Sequence, residues 1–193
     1  FLSQHVNSVI INAGDGAHEH PTQALLDAYS LLLHLGDLRD KRIGIVGDIL
    51  HSRVALSNIL CLQKLGAKVE VCGPSTLIPK HISSLGLDIS HDLDATLQRC
   101  DAINMLRVQH ERQDQRYFPS VREYVQQFGL TSQRLAKLTR EPLLMHPGPI
   151  NRGVEITSEV ADGQHSIILQ QVENGVAIRM AVLYLLASKQ KLE

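Results

Sequence analysis

The sequence KRIGIVGDILHSRVALSNILCLQKLGAKVEVCG, residues 41–73, contains the pattern that decides the fold. A β-rich run at 42–48 precedes an apolar-periodic stretch at 52–65, and a second β-rich run follows at 68–73. The apolar residues of the middle stretch recur at helical spacing, namely Ala55, Leu56, Ile59, Leu60 and Leu62. A strand, a helix and a strand in this order predict a βαβ unit with two parallel strands.

The alternation of strands and helices continues on both sides of this unit. Further strands are predicted at 6–11, 87–89, 101–107 and 143–145, the first of them as a short buried strand. Helices are predicted at 21–35, 79–85, 93–99 and 166–187, and the polar segment 110–140 is predicted to be mostly helical. This order predicts an α/β fold, a doubly wound parallel sheet with helices on both faces.

A second informative stretch, NAGDGAHEHPTQALLD at 12–27, is a glycine-bearing loop that passes into a helix. Pro21 suits the first helical position because its missing N–H would have no helical partner there. His20 and Gln23 therefore lie at a helix N-terminus, where unpaired N–H groups favour an anionic or carbonyl-bearing ligand. The alternative is that His20 is only a capping or loop residue.

Composition excludes several classes of partner. With 19 basic and 20 acidic residues the formal net charge is −1, and the basic residues are scattered. Such a chain has no extended positive field to attract nucleic acid or an anionic membrane. It has no Trp and only 4% aromatic residues, which argues against a platform for stacking bases. We therefore expect neither nucleic acid nor membrane as a partner.

The cysteines and the longest apolar run indicate the compartment. The three cysteines, Cys61, Cys72 and Cys100, show no C-x-x-C spacing, and each lies in or beside an apolar run. This predicts buried, reduced thiols and a cytoplasmic protein. The apolar run 176–187 is too short to span a bilayer and is interrupted by Arg179.

Two kinds of ligand are disfavoured by spacing. Gly47 stands alone after the strand 42–48, so the G-x-G-x-x-G pattern of dinucleotide-binding proteins is absent. The sequence His18-Glu19-His20 lacks the H-E-x-x-H helical spacing, and no cysteine or carboxylate cluster completes a metal site. We expect neither a metal nor an organic cofactor.

Two arginines follow predicted strands. Arg53 follows the strand 42–48 and Arg107 ends the strand 101–107, so both are expected at the edge where parallel sheets bind ligands. Two guanidinium groups there suit a small dicarboxylate. For each arginine taken alone, a surface salt bridge is the simpler interpretation.

Four segments together resemble the transcarbamylase family, and within it the aspartate carbamoyltransferases. They are the loop at 12–27, HSRVALSN at 51–58, NMLRVQ at 104–109 and HPGPINRGVEI at 146–156. They occur in the family's order and cover nearly the whole chain. The resemblance implies transfer of a carbamoyl group from carbamoyl phosphate to the α-amine of L-aspartate, in pyrimidine biosynthesis.

The same resemblance assigns roles to individual residues. His20 and Gln23 match positions that bind carbamoyl phosphate, with His20 as the catalytic donor at its carbonyl oxygen. The remaining matches are Gly148 and Pro149 for the carbamoyl group, and Arg53, Arg107 and Gln109 for aspartate. We also predict a cis bond between Gly148 and Pro149, because X–Pro bonds are the ones that adopt cis at low cost.

The family's Ser-Thr-Arg-Thr phosphate loop does not occur in this sequence. The expectation is therefore a C-terminal fragment that is inactive alone: residues 1–35 end the carbamoyl-phosphate domain, 36–165 form the aspartate-binding domain, and 166–193 form a helix packing back toward the first domain. The resemblance implies a homotrimer for the complete protein, with regulatory or other pathway subunits as further partners.

Two alternatives remain open at this stage. Ornithine carbamoyltransferase is the nearest related family, but its motif is His-Cys-Leu-Pro where this chain has His-Pro-Gly-Pro at 146–149. In addition, the side-chain amine of a diamino acid does not suit the positive charge of Arg107. A non-catalytic amino-acid-binding module would retain Arg53 and Arg107 without the phosphate loop.

Overall fold

A computed structural model describes residues 2–16, 18–108 and 120–189. Five strands form one sheet: β1 Arg42–Val46, β2 Lys68–Cys72, β3 Asp88–Ser90, β4 Ala102–Met105 and β5 Leu143–Met145. The helices are α1 Pro21–Leu35, α2 Arg53–Lys64, α3 Leu93–Arg99, α4 Val121–Phe128, α5 Ser132–Leu135, α6 Ser158–Ala161 and α7 Ile168–Lys189. The strand order is β3-β2-β1-β4-β5, and all four neighbouring pairs are parallel. This confirms the predicted α/β fold.

Two apolar clusters, one on each face of the sheet, explain the layered arrangement. One joins Ile43 and Ile45 of β1 to Leu31 of α1 and Ile59 of α2. The other is centred on side chains of β4, α3 and α4, including Ile103, Leu97 and Tyr124. Strands covered on both faces are apolar along their whole length, as the buried residues 43–46 are. Helices therefore lie on both sides, as predicted.

The chain changes direction across the sheet between β1 and β4. From β1 it proceeds to β2 and β3 on one side, and it then returns to β4 and β5 on the other. The carboxyl ends of β1 and β4 consequently flank a topological switch point, where open α/β sheets leave a crevice for ligands.

Helix α1 has the predicted bounds, 21–35, but its buried face coincides only in part with its apolar pattern. Leu25 and Leu32 are 44% and 40% exposed, whereas Gln23 and Asp27 are buried. The reason is its neighbours: α1 packs against α2 and α7, and these contacts bury polar side chains between the helices.

Two local predictions are wrong. Residues 6–11 form no strand, and Val6, Val9 and Ile10 are 42–45% exposed. Neither edge strand, β3 or β5, pairs with this segment, so its β-rich composition has no ladder to join. The helix predicted at 79–85 is shorter, a 3₁₀ turn at Ile82–Leu85. Within 110–140 the described residues contain α4 and α5, while 110–119 lie outside the described part of the chain.

Helix α7 packs against α1 along one side and exposes apolar side chains on the other. The exposed set comprises Leu169, Val172, Val176, Met180, Leu183, Tyr184 and Leu185, each at least 58% exposed. Polar contacts hold the two helices together, including a bond of 2.9 Å from Asn174 Nδ2 to Ser30 Oγ. Among the described residues, no helix combines the length and the apolar character needed to cross a membrane.

Candidate functional site

The two arginines predicted to bind a ligand follow adjacent strands at the switch point. Arg53 is the first residue of α2, and the Ser52 hydroxyl caps this helix by accepting from the Ala55 N–H at 3.3 Å. Arg107 comes two residues after β4. The Leu106 N–H donates to the Val46 carbonyl at 2.7 Å, which continues the pairing of β1 and β4 up to the residue before Arg107.

The loop that precedes α1 lies against Arg53. Gly14 has φ +113°, and a Cβ placed there would lie 2.8 Å from Arg53 Cζ, so only glycine allows this approach. At the end of the loop the His20 N–H donates to Ser57 Oγ, one turn beyond Arg53 in α2, at 2.9 Å. The structure thus brings together the loop and the arginine that the sequence placed at separate sites.

His20 lies in a positively charged environment. Partial burial first, and then the cations Arg53 and Arg179, lower the pKa of His20 below its ordinary value of 6.5. The imidazole is therefore neutral at pH 7. Thr22 Oγ1 lies 3.4 Å from His20 Nδ1, and a hydroxyl that donates there places the imidazole proton on Nε2.

A cavity of about 190 Å³ lies between α1, α7 and the loop after β5, and its lining includes Arg179, one of the cations that act on His20. The lining also includes Gln23, His146 and Gly148. The peptide bond Gly148–Pro149 is cis, which confirms that prediction. Gly148 has φ +66°, in the left-handed region that glycine adopts without strain. The cavity therefore unites three segments distant in sequence.

Hydrogen bonds from His146 and Glu155 shape the loop after β5. His146 Nδ1 accepts from the Gly148 N–H at 2.9 Å, so its proton is on Nε2, 3.3 Å from Glu155 Oε1. The same Glu155 oxygen accepts from the Asn151 N–H at 2.6 Å. Both His146 and Glu155 are fully buried, which holds the backbone of Gly148 toward the cavity.

Asp27 lies directly beneath the cavity and is buried, with 1% of its surface exposed. Its carboxylate accepts hydrogen bonds from four carboxamides, those of Gln23, Asn58, Asn104 and Gln171. Burial raises the pKa of Asp27 above its ordinary value, although the four N–H donors oppose this change.

Three residues at or beside the cavity, Asp27, Gln171 and Arg179, were not predicted from the sequence to be functional. Asp27 has a signal in the sequence, an acid within a helix whose other residues are mostly apolar, four positions after Gln23. Gln171 has no such signal. Arg179 was considered only as an interruption of an apolar run. Gln109, in contrast, was predicted to bind aspartate and lies outside the described residues.

The cysteines contribute no reactive group to this region. Cys61, Cys72 and Cys100 are free thiols, and burial raises the pKa of Cys72 to about 11 and that of Cys100 to about 12. Across the described ranges, no group of three or more His, Cys, Asp or Glu side chains is placed to hold a metal ion.

Comparison with known protein families assigns the chain to one of them. Residues 39–186 match the family described as aspartate/ornithine carbamoyltransferase, Asp/Orn binding domain. The chain belongs to this family. The match begins just before β1 and ends within α7, so it contains all five strands of the sheet described above.

Individual carbamoyltransferases resemble the chain over almost all its length. The aspartate carbamoyltransferase catalytic subunit of Christiangramia forsetii is 67% identical over 191 residues, covering 99% of this chain and 62% of that protein. The chain therefore spans less than two thirds of the length of this relative.

Solved carbamoyltransferase structures share the fold. The catalytic subunit of M. jannaschii aspartate transcarbamoylase has a TM-score of 0.80 at 30% identity, with 99% of this chain and 63% of that chain covered. Ornithine carbamoyltransferase from Thermus thermophilus has a TM-score of 0.81 at 26% identity, with 96% and 61% covered. Backbone similarity alone does not separate the two substrate classes.

Proposed function

We propose that this chain forms the aspartate-binding part of an aspartate carbamoyltransferase, which transfers the carbamoyl group of carbamoyl phosphate to L-aspartate. The observation that carries the proposal is the contact of the loop before α1 with α2, in which Gly14 approaches Arg53 and the His20 N–H donates to Ser57 Oγ. This contact places the donor for one substrate beside the cation for the other.

Arg53 and Arg107 bind the two carboxylates of aspartate in this proposal. They follow β1 and β4 on either side of the switch point, and Gln109 assists from beyond Arg107. Guanidinium groups form bidentate hydrogen bonds with carboxylates, and each charge-assisted contact contributes about 1.5–3 kcal/mol. The amino group of aspartate then points toward His20.

The carbamoyl group binds between His20, Gln23 and the 146–149 loop. Neutral His20, protonated on Nε2, donates to the carbonyl oxygen. Gln23 Nε2 donates to Asp27 at 2.9 Å, so Gln23 Oε1 remains available to accept from the carbamoyl amino group. The backbone at Gly148 and Pro149 contacts the same group from the opposite side of the cavity.

The reaction is a displacement at the carbamoyl carbon. The α-amine of aspartate attacks this carbon, a C–N bond forms, the C–O bond to phosphate breaks, and phosphate leaves as the amine loses a proton. Negative charge develops on the carbonyl oxygen, where one preorganised donor such as His20 is worth about 2.7–4 kcal/mol. The products are N-carbamoyl-L-aspartate and phosphate.

The phosphate contacts come from outside this sequence in our proposal. Residues 1–35 and 166–193, which include α1 and α7, connect to the carbamoyl-phosphate domain, and 36–165 form the aspartate domain. The exposed apolar face of α7 supports this division. We further propose that the complete protein is a cytoplasmic homotrimer.

A carbamoyl-transfer assay tests the proposal. The chain, joined to the N-terminal part of the C. forsetii relative, is offered aspartate and ornithine side by side. We expect carbamoyl-aspartate only. Carbamoyl-ornithine as the product would identify ornithine, and not aspartate, as the substrate. Dicarboxylate binding without any product would favour a non-catalytic binding module.

Arginine variants of this joined protein sharpen the test. Arg107→Met should weaken aspartate binding by about 10–10²-fold, since one charge-assisted contact is lost. The matched control is Arg152→Met, because Arg152 pairs with Asp162 on the surface at 2.7 and 2.8 Å. Equal effects of the two substitutions on the KM for aspartate would contradict the assignment of Arg107.

A further inference from the structure

Asp27 contacts all the elements that carry the candidate site. Its Oδ1 accepts from Gln23 Nε2 of α1 at 2.9 Å and from Gln171 Nε2 of α7 at 2.8 Å. Its Oδ2 accepts from Asn58 Nδ2 of α2 at 2.8 Å and from Asn104 Nδ2 of β4 at 3.3 Å. These elements are the helix that begins after His20, the helix that begins at Arg53, the strand that ends two residues before Arg107, and α7, which lies beyond the 146–149 loop in the sequence.

The donors around Asp27 are neutral amides. Within the described residues no arginine or lysine pairs with it. An ionised carboxylate only accepts hydrogen bonds, so each neighbouring carboxamide must turn its nitrogen toward Asp27 and its oxygen away. Asn58 and Asn104 obey this rule although their buried Oδ1 atoms then accept no hydrogen bond from the described residues.

For the two glutamines this orientation has consequences at the cavity. Gln23 directs Nε2 to Asp27 and its Oε1 is left for a ligand donor. Gln171 directs Nε2 to Asp27 and uses its Oε1 to accept from the His146 N–H at 2.9 Å, at the start of the 146–149 loop. Reversal of either amide would present a donor where an acceptor now lies.

We propose that Asp27 is a positioning residue that fixes the amide orientation of Gln23 and, through Gln171, the position of the His146–Pro149 loop. This inference rests on the proposed carbamoyl transfer, in which Gln23 and the loop bind the carbamoyl group. Asp27 touches neither substrate. It determines which hydrogen-bonding atoms the cavity presents to carbamoyl phosphate.

The first test is the kinetics of Asp27→Asn in the joined protein. Asparagine has nearly the same shape but offers one acceptor and one donor group, so Gln23 is free to reverse. We expect kcat/KM for carbamoyl phosphate to fall by about 10²-fold, as misplacement of a positioning group typically does. The KM for aspartate should change by no more than about threefold, because Arg53 and Arg107 keep their positions.

Glu70→Gln is the matched control. Glu70 is also a fully buried acid with several donors, but its partners are Arg42, Arg99 and Thr96, away from the cavity. It should leave both kinetic constants unchanged at a temperature where the protein is folded. If the two variants lose the same activity, Asp27 is merely structural and the inference is overturned.

Gln171→Met covers the case in which Asp27→Asn does not fold. This variant keeps the Asp27–Gln23 bond and removes both bonds of the Gln171 amide, the one to Asp27 and the one from the His146 N–H. We expect a loss of about tenfold in kcat/KM for carbamoyl phosphate with the KM for aspartate retained. Wild-type kinetics in this variant would overturn the role of Asp27 in holding the loop.

A measurement without turnover separates this inference from the proposed function. In the 193-residue chain alone, the side-chain amide signals of Gln23 and Gln171 are assigned by their loss in Gln23→Glu and Gln171→Glu. Their protons should be protected from hydrogen exchange, and Asp27→Asn should reduce this protection by about tenfold or more. Unchanged exchange would overturn the positioning role even where carbamoyl transfer is established. A loss of protection would support it even if the substrate proved to be another amino acid.

Discussion

At the amino end of the sheet the charged side chains are paired with one another, whereas at the carboxyl end Arg179 lines a cavity and Arg53 lies against the loop before α1. Glu70, at the amino end, accepts from Arg42 and Arg99. Arg42 also pairs with Asp88, and Asp101 pairs with Arg140 at 2.9 Å. At the carboxyl end, neither Arg53 nor Arg179 forms an ion pair with any described residue.

The two buried acids show what this difference means. The charge of Glu70 is neutralised by the guanidinium groups of Arg42 and Arg99. Removing the carboxylate or a guanidinium group leaves the opposite charge without its partner, so these three side chains act as a structural clamp. Asp27 is surrounded by amides, which satisfy its oxygens without cancelling its charge. A cationic partner stabilises an acid, whereas amide partners are themselves oriented by it.

The largest expected effect is the loss of stability in Glu70→Ala. The carboxylate makes charge-assisted hydrogen bonds to two arginines and accepts from Thr96 Oγ1 at 2.7 Å. Because both guanidinium groups retain access to water, we expect a destabilisation of about 2–3 kcal/mol, below that of a completely buried pair. Urea denaturation measures this change. A difference under about 0.5 kcal/mol would show that the amino end is not a clamp.

A smaller and pH-dependent effect is expected for Asp101→Asn. Burial alone would raise the pKa of Asp101, but hydrogen bonds from the Arg42 N–H at 2.9 Å and from Arg140 outweigh it and lower the pKa below 3.8. The unfolded state therefore binds more protons near pH 3–4, and the contribution of Asp101, about 1–2 kcal/mol, is present above this range and lost below it.

Denaturation midpoints at several pH values test this sign. The difference between wild type and Asp101→Asn should be constant from pH 5 to 7 and should shrink as the pH falls through the lowered pKa. Arg140→Met is the matched control, since it removes one of the two stabilising bonds and should give a smaller difference of the same sign. A difference that grows at low pH would contradict the assignment.

The pattern of apolar residues was sufficient to predict the sheet but not to predict the cavity. The apolar runs at 42–48, 68–73 and 101–107 predict β1, β2 and β4 within one or two residues, because a strand buried on both faces has a local signal. The cavity depends on contacts such as that between Asp27 and Gln171, which are 144 positions apart. No local pattern encodes such a pairing.

The helix α1 shows where the pattern misleads. Its apolar residues recur at helical spacing, and Ala24, Ala28 and Leu31 are buried as that pattern predicts, but Leu25 and Leu32 are exposed. The buried side carries Gln23, Asp27 and Ser30, which are stable there because α2 and α7 supply partners for them. Likewise the β-rich segment 6–11 remains outside the sheet, since β propensity does not supply a neighbouring strand.

The smallest expected effect is a change in the pKa of His20, which depends in part on the cations at the carboxyl end of the sheet. Burial is the largest cause of the lowered pKa of His20, so Arg53→Met should raise this pKa only part of the way toward 6.5, and Arg179→Met should raise it less. NMR titration of the 193-residue chain measures both, with the His20 signal assigned by its loss in His20→Gln. Arg152→Met, which removes a paired surface arginine, should leave the titration unchanged.

The salt dependence of the His20 pKa and the pH dependence of the stability provide two further tests of how His20 is charged. Added salt screens exposed cations, so the pKa of His20 should rise with ionic strength in wild type and rise less in Arg53→Met. Because the folded pKa is lowered, the unfolded state binds more protons between that value and 6.5, and stability should increase with pH through this window. His20→Gln should remove that slope. If Arg53→Met leaves the pKa unchanged and added salt does not alter it, the cations at the carboxyl end do not act on His20, and the two ends of the sheet differ only in geometry.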